Sequence, residues 1–413
     1  MVYLFNNNVT LAQTPQLDAF GRLRVSQPET LFDSQQRFGL DKSFVSNVST
    51  SNASISFIAT QSSANLTVNS NVNAFAARES KYVFMYQPGK SQLTLMTFVM
   101  SPISSGNLRQ RVGYFGSDNG YYLELSDQLY FVQRSNSTGT VTNTPVAQSS
   151  WSNDTFLGTG ASGITLDITK AQILFFDMEW LGVGSVRCGF VMNDQFIVAH
   201  TFQHANISPY AYITTACLPI RYEIQALTNS APATSNLTQI CSTVASEAGF
   251  GEPFSFFSNL AYFSSLTVGS TAWVPVISVQ LQQSRLDAIS LVQQIQVVLT
   301  TSDTVQWALW SNVAPGALTN ASFSTPPQNG SVQIDKSATA LNVTNCWQIA
   351  SGIATNGGGA STSGVITSLA SYFSQIGRDS FSKTSEIFTL ALIRGTGSSA
   401  LTGYALLSWQ ELL

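Results

Sequence analysis

The two histidines of this chain, His200 and His204, lie four residues apart, a spacing that suits a zinc site on a helix. The surrounding segment, 198–206, instead has the pattern of a strand that runs into a loop. Thr201 follows His200 at the position where a zinc protease carries glutamate. The sequence therefore predicts a hydrogen-bonded structural pair and not a metal site.

Two carboxylates, Asp177 and Glu179, are separated by one residue in a predicted strand, which points both to the same face of a sheet. Paired carboxylates are what glycoside hydrolysis needs. The third acid of the E-x-D-x-x-E pattern of sandwich-fold glycosidases is missing, and the first is Asp. We therefore expect strand pairing or an arginine partner, Arg187 or Arg221, in preference to catalysis.

Other catalytic and redox patterns are absent from the sequence. Gly182-Val-Gly184 lacks the third glycine of a dinucleotide fingerprint, and there is no Walker A loop, Ser-His-Asp layout or G-x-S-x-G elbow. The cysteines are widely spaced without a C-x-x-C, which predicts buried thiols and neither a metal cage nor a disulfide framework; they are Cys188, Cys217, Cys241 and Cys346. We predict a protein without enzymatic activity or cofactor.

Several aromatic residues could stack on sugars if they were exposed, although aromatic residues of an all-β protein are more often core. They are Tyr121, Tyr122, Trp151, Tyr210, Tyr212 and Trp310. A glycan-binding host-attachment module is accordingly our second functional hypothesis.

Composition limits the partners. Charged residues make up 10% of the 413 residues, hydrophobic residues 44% and aromatic residues 11%, with a net charge of −4. This composition predicts a compact fold made soluble by amides and hydroxyls. No apolar run reaches the length of a membrane helix, and residues 45–275 contain more acidic than basic side chains. We expect no membrane and no nucleic-acid partner.

The pattern of elements predicts an all-β fold, with an extended N-terminal arm followed by two antiparallel β-sandwich, jelly-roll-like domains. Short β-branched and aromatic stretches recur between turn residues. Examples are 55–58, 81–86, 93–99, 121–125, 173–180, 186–191, 196–200, 295–299, 305–310, 388–393 and 404–409. Asn193-Asp194 is a predicted hairpin turn. The predicted domains are the arm 1–44, a jelly-roll or lectin-like sandwich 45–275 and a smaller sandwich 276–413.

The predicted arm mixes charged and apolar residues without the period of a core element. We expect it to lie on a neighbouring molecule, so that deletion of residues 1–44 leaves the stability of the remainder nearly unchanged and abolishes assembly. The residues assigned to this contact are Phe20, Arg22, Leu23, Arg24, Leu31, Phe32 and Asp33.

Two motifs, Asp18-Ala-Phe-Gly-Arg-Leu-Arg-Val-Ser26 and Thr30-Leu-Phe-Asp-Ser34, resemble the opening of a group of virion structural proteins from tailed bacteriophages and large DNA viruses. The resemblance continues along most of the chain, at 111–116, 162–167, 179–184, 218–223 and 407–411. It implies a place in a virus particle and carries over no catalytic residue.

Our first hypothesis is a non-enzymatic virion structural protein, a capsid decoration, vertex or fibre-like component anchored by its arm. This hypothesis predicts a virion location after synthesis in the host cytoplasm. Its partners would be major capsid or tail proteins and further copies of the chain, with a trimer as one option. The alternatives are the glycan-binding module and, third, a sandwich-fold glycosidase that uses Asp177 and Glu179.

Overall fold

A computed structural model of the protein describes residues 17–18, 23, 27–49, 52–247, 255–325, 330–356, 361–362, 364–366 and 374–412. The architecture is all-β, as predicted, with antiparallel strands and, among these residues, four short 3-10 turns at Ala59–Gln61, Gln148–Ser150, Gln283–Arg285 and Pro315–Ala317. Within the described ranges, no helix has the length and hydrophobicity needed to cross a membrane.

The chain divides into two compact units, Met1–Phe250 and Gly251–Leu413. The strands of the first unit are β1 (Pro28–Gln35), β2 (Phe44–Val48), β3 (Ala53–Ile58), β4 (Ser63–Val68), β5 (Phe75–Ser80), β6 (Gln92–Met100), β7 (Leu108–Phe115), β8 (Gly120–Leu125), β9 (Leu129–Ser135), β10 (Thr142–Ala147), β11 (Gln172–Met178), β12 (Val186–Met192), β13 (Gln195–Phe202), β14 (Ile220–Ala226) and β15 (Ser235–Glu247).

The strands of the second unit are β16 (Ser255–Val268), β17 (Val274–Leu281), β18 (Ile289–Leu299), β19 (Asp303–Val313), β20 (Leu318–Thr319), β21 (Val332–Asp335), β22 (Ala340–Leu341), β23 (Trp347–Asn356), β24 (Ser361–Thr362), β25 (Gly364–Ile366), β26 (Arg378–Asp379), β27 (Thr384–Ser385), β28 (Ile387–Ile393) and β29 (Ser399–Leu412). The predicted boundary at residue 275 is therefore too late, because β16 pairs with β29 along nearly its whole length and belongs to the second unit.

The first unit is a sandwich of two antiparallel sheets. The first sheet has the order β13-β12-β11-β6-β15-β4-β3, with β1 also paired to β15, and the second has the order β10-β9-β8-β7-β14-β5-β2. Alternate residues of each strand enter the core, such as Val112 and Tyr114 of β7 and Phe176 of β11. The intervening residues of the second sheet form its outer face, where the charged groups described below lie.

The predicted arm is wrong for residues 28–44. Strand β1 pairs with the C-terminal half of β15, and Leu31 and Phe32 are buried in the core of the sandwich. The Phe32 ring lies 5.9 Å from that of Phe44 and 4.8 Å from that of Phe84, measured between centroids. Because β4 pairs only with the N-terminal half of β15, β1 occupies the remaining edge of this long strand.

The connection from β1 to β2 is also bound into the sandwich. The buried Arg78 guanidinium donates hydrogen bonds to the Asp41 carbonyl and to Gln239 Oε1, both at 2.6 Å. It also lies 5.0 Å from the centre of the Phe44 ring. Burial lowers the pKa of Arg78 to about 10, against the opposing charge of Asp41. These contacts make residues 36–44 part of the fold.

Two local predictions have different outcomes. Asn193 and Asp194 form the turn between β12 and β13 with φ of 50° and 60°, as the hairpin prediction requires. The predicted strand at 81–86 is wrong, because β5 ends at Ser80, whose hydroxyl donates to the Tyr82 carbonyl at 2.7 Å. The apolar run Val83–Tyr86 is buried without forming a strand, so its hydrophobicity reflects core packing alone.

The second unit is also a two-sheet sandwich. Its sheets have the orders β16-β29-β18-β25 and β21-β17-β28-β19-β23-β24, and two-stranded pairs join β20 to β22 and β26 to β27. Its core contains the fully buried side chains of Trp307 and Trp409 together with aliphatic residues of both sheets. The prediction of two sandwiches is therefore confirmed.

Candidate functional site

The Asp177 carboxylate, the first candidate acid, is part of a buried ion pair. It lies directly across the β11–β12 pairing from Arg187, which donates to it, and Ser91 Oγ donates to its other oxygen. The same guanidinium donates to the main-chain carbonyl of Leu17, so the pair also holds the N-terminal segment. The predicted pairing of Asp177 with Arg187 is confirmed.

Glu179, the second candidate acid, is fully buried just after the end of β11. Its amide donates to the Ser185 carbonyl at 3.3 Å. A general acid or base must come within hydrogen-bonding reach of its substrate. Both carboxylates are buried, so neither lines an open groove that a sugar could enter.

The two histidines are both hydrogen-bonded, but to different elements. His204 Nδ1 donates to the Gly184 carbonyl at 2.6 Å, its Nε2 lies 2.8 Å from Gln133 Oε1, and its ring stacks on Tyr212 with centroids 3.6 Å apart. His200 Nδ1 accepts a hydrogen bond from the Ser152 amide at 3.1 Å. Burial lowers the pKa of both, and for His204 the Gly184 carbonyl partly opposes this effect.

The possible metal ligands and the cysteines are also dispersed in the structure. In the described part of the chain, the side chains form no group of three or more metal-ligating residues. Cys188 is buried, whereas Cys241 on β15 is exposed and Cys217 and Cys346 are half-buried. The prediction of buried thiols is therefore wrong for Cys241, which lies on a face of β15 that points away from the core.

The residues predicted to form the assembly contact lie in different environments. Leu31 and Phe32 are core residues, as described above, and Asp33 is exposed on β1. Leu23 forms an isolated antiparallel bridge with Leu17 and is 59% exposed. Phe20, Arg22 and Arg24 lie outside the described residues.

The outer face of the second sheet carries a row of alternating charges, which we call the charged ladder: Glu79, Arg221, Glu223, Arg111 and Glu124. The strand register places Glu79 of β5 opposite Arg221 of β14, and Arg111 of β7 opposite both Glu223 of β14 and Glu124 of β8. Arg221 and Glu223 lie two residues apart on β14 and so share its outer face. Ion pairs join neighbours at 3.0 Å (Glu79 to Arg221), 2.7 Å (Arg221 to Glu223), 3.2 Å (Glu223 to Arg111) and 2.7 Å (Arg111 to Glu124). The ladder crosses four strands without interruption.

The electrostatics of the ladder favour the charged form of its central acid. Burial alone raises the pKa of Glu223, but Arg221, Arg111 and Arg109 together outweigh burial and hold the pKa of this carboxyl below its ordinary value. A buried carboxylate with this many cationic neighbours is a fixed structural charge and a poor proton donor near neutral pH. We therefore assign the ladder to positioning and not to acid–base chemistry.

Two aromatic rings lie beside the ladder and are covered by arginines. The rings of Phe115 and Tyr122 are fully buried with centroids 4.5 Å apart. The guanidinium of Arg111 lies 5.0 Å from the Tyr122 centroid and that of Arg221 lies 5.6 Å from the Phe115 centroid, which are cation–π distances. Gly113 lies directly opposite Tyr122 in the β7–β8 pairing, and a Cβ at Gly113 would approach Tyr122 Cβ to 2.5 Å. The faces of both rings are thus in contact with protein groups.

A third arginine, Arg134 of β9, covers both rings. Its guanidinium lies 5.5 Å from the Phe115 centroid and 5.3 Å from the Tyr122 centroid. Its Nε donates to Asn143 Oδ1 at 3.0 Å and its Nη1 donates to the Gly116 carbonyl at 3.1 Å. These partners are neutral oxygens and ring faces, in contrast to the carboxylate partners of Arg111 and Arg221.

The predicted sugar-stacking aromatics are mostly core residues. Tyr121, Tyr122, Trp151, Tyr212 and Trp310 are buried, and Tyr210 is 51% exposed in a loop. The ladder itself was missed by sequence analysis. The available signal was the alternation Arg109-Gln-Arg111 and Arg221-Tyr-Glu223, which places charges on one face of each strand, but the pairing of these strands was needed to join them.

The second unit carries one notable polar cleft of about 560 Å³. Its lining is made of hydroxyl, amide and charged groups, namely Ser302, Asp303, Thr304, Thr355, Asn356, Arg394, Gly395 and Thr396. Its arginine, Arg394, forms an ion pair with Asp303. The positive charge of Arg394 is therefore neutralised within the cleft by Asp303, whereas Arg134 has no carboxylate in such a pair among the described residues.

Comparisons with known proteins give no family. No protein-family profile and no curated protein matches the chain. Among solved structures, it is similar to a carbohydrate esterase of the Shiga toxin-encoding bacteriophage phi24B (13% identity, TM-score 0.34, 54% of this chain and 100% of that one). It is also similar to the lectin-like defence protein arcelin-5 of Phaseolus vulgaris (10%, 0.33, 54% and 99%) and to the CBM2 module of the evolved Dit of Lactobacillus casei BL23 phage J-1 (6%, 0.35, 55% and 99%). Similarity at this level carries no argument about the function of this chain.

Proposed function

We propose that the protein is a non-enzymatic structural component of a virus particle, a capsid decoration, vertex or fibre-like protein that acts by binding. The proposal starts from the resemblance of residues 18–26 and 30–34 to the opening of virion structural proteins. Its partners would be major capsid or tail proteins and further copies of the chain, and its location the virion.

One observation carries the non-enzymatic part of this proposal. The acid–base candidates Asp177 and His204, and the central acid of the ladder, Glu223, are engaged in buried structural contacts with Arg187, with the Gly184 carbonyl and with the ladder arginines, respectively. A general acid or base has to reach its substrate and change protonation state. These contacts favour a binding role over the glycosidase alternative.

The test of the virion role is incorporation into particles. Purified particles are probed for the labelled protein, both as the original chain and as Arg22→Ala with Arg24→Ala. We expect the original protein at a fixed position in particle images and reduced incorporation of the double variant under moderate salt. An exposed-surface control, Lys170→Gln, should incorporate normally. A protein absent from purified particles would overturn the proposal.

A second candidate function is glycan binding in host attachment. The observation that favours it is Arg134, a cation on the outer face of the second sheet whose polar partners are neutral. Arginine is well suited to recognition of carboxylate and sulfate groups, which acidic glycans carry.

A further inference from the structure

The Arg134 guanidinium is half-buried and has no carboxylate at ion-pairing distance among the described residues, although the ladder beside it contains three. Each of the other ladder-face arginines, Arg109, Arg111 and Arg221, lies within 4 Å of Glu223. Burial lowers the pKa of Arg134, and the nearby positive charges of Arg111 and Arg221 act in the same direction, whereas Tyr122 and the more distant Glu223 carboxylate oppose them. A partly desolvated cation among other cations is costly unless an anion accompanies it.

The hairpin that contains Arg134 is rich in uncharged hydrogen-bonding groups. The β9–β10 hairpin, residues 134–144, reads Arg-Ser-Asn-Ser-Thr-Gly-Thr-Val-Thr-Asn-Thr and contains no carboxylate. Most of its side chains are hydroxyls or amides, and residues 142–144 of β10 are exposed. A surface of this kind matches a polyhydroxylated ligand, whose many hydroxyls need both donors and acceptors.

Asn143 connects the hairpin to the arginine. Its Oδ1 accepts from Arg134 Nε and from the Tyr122 hydroxyl, both at 3.0 Å. These bonds fix the amide plane and assign Oδ1 as the acceptor, so that Nδ2 of this exposed residue is the donor. Arg134 and Asn143 are also directly opposite in the β9–β10 pairing. The result is a charged donor and a neutral donor held side by side at the edge of the sheet.

We propose that Arg134 and Asn143 form a binding site for the carboxylate or sulfate group of an acidic saccharide. The anion accepts hydrogen bonds from the Arg134 guanidinium and from Asn143 Nδ2, and the sugar hydroxyls meet the exposed turn of the same hairpin, residues 138–140. An acidic peptide would supply the same anion, but the hydroxyl and amide groups of the hairpin favour the saccharide. The inference rests on the second candidate function, glycan binding, and names its ligand class.

Titration of the full chain tests this site with three probes: 3′-sialyllactose for the carboxylate, a sulfated heparin disaccharide for the sulfate, and lactose as the neutral parent. We expect at least one acidic probe to bind about tenfold or more tightly than lactose, because an anion gains charge-assisted hydrogen bonds. The preference should weaken as salt is raised.

Variants locate the site. Arg134→Gln and Asn143→Ala should each reduce acidic-probe affinity, the first by about tenfold or more. Arg37→Gln removes an equal charge from an exposed arginine between β1 and β2 and should have no effect. Asn143 is exposed, so its variant decides the matter if Arg134→Gln does not fold.

The outcomes distinguish failure of the Arg134–Asn143 site from failure of the glycan-binding function. Binding of lactose as tightly as the acidic probes, or acidic binding unaffected by the variants, overturns the site and leaves glycan binding standing. Equal binding of a polyglutamate peptide overturns the choice of a saccharide. Absence of binding to every saccharide on a glycan array overturns the glycan-binding function and the site together.

Discussion

Arg187 is the residue on which the N-terminal segment and the first sheet both depend. Arg187 is buried, and its guanidinium donates to the Asp177 carboxylate and to the Leu17 carbonyl. Removing one partner of a buried ion pair leaves an uncompensated charge, which costs far more than the loss of an exposed pair.

We therefore predict that Asp177→Asn lowers the free energy of unfolding of the first unit by about 3–5 kcal/mol. Calorimetry of the full chain measures the shift of its transition. Asp118→Asn, which makes the same replacement at an exposed turn between β7 and β8, should leave the transition unchanged. Equal effects of the two replacements would show that the Asp177 pair is not structural.

The histidines should make stability depend on pH. Their ordinary pKa is 6.5, and burial lowers it in the folded protein. The unfolded chain therefore binds protons at these residues at a pH where the folded protein does not. The free energy of unfolding should consequently fall as the pH drops below about 6.5.

His204→Asn tests this sign. The Asn Nδ2 group can still donate to the Gly184 carbonyl, but the side chain no longer titrates. We expect the loss of stability between about pH 7 and pH 5 to be smaller in this variant than in the original protein, with the share of His200 retained. Urea unfolding at both pH values measures the difference. An unchanged pH dependence would mean that His204 is accessible to protons in the folded state.

At the scale of elements, β1 shows where sequence reasoning stops. Glu29 and Asp33 interrupt its apolar residues, so residues 28–35 show too little periodicity to predict a core strand. Its partner, β15, lies more than 200 residues later, and a local pattern does not contain that pairing. Strands with clear alternation or strong hydrophobicity, such as β6 and β11, were predicted nearly within their bounds.

The corrected role of β1 reverses the expected effect of removing residues 1–44. Phe32→Ala should destabilise the first unit by about 3–5 kcal/mol, because it removes a buried ring that packs on Phe44 and Phe84. Asp33→Ala changes the adjacent exposed residue of the same strand and should have little effect. Equal transition temperatures for the two variants would restore the interpretation of residues 28–44 as a dispensable arm.

The ion pairs of the charged ladder also depend on strand pairing that a local sequence pattern does not contain. Each of its arginines and glutamates was visible in the sequence, and Arg221 was considered as a partner for Asp177 or Glu179. The structure instead pairs Arg221 with Glu79 and Glu223. Residue type and alternation predict that charges share a face, whereas strand order decides which charges meet.

At the scale of the whole molecule, the two units have separate strand pairings and separate cores. The sequence placed their boundary at residue 275 because Val274-Pro275 closes one pattern and a new strand set follows. Proline is compatible with the start of a strand, and Pro275 is the second residue of β17. A proline at a strand start therefore marked an element and not a domain boundary.

The boundary leads to a prediction about fragments. Residues 251–413 contain β16, which pairs with β29 and contributes Val268 to the core, whereas residues 276–413 lack it. We expect the longer fragment to unfold in one cooperative thermal transition, because its sheets and core are complete. The shorter one should be unfolded or aggregated, because the edge of β29 and the core beneath it are exposed. Circular dichroism melts of both fragments measure this difference, and a cooperative transition of residues 276–413 at the same temperature would place β16 outside the folding unit.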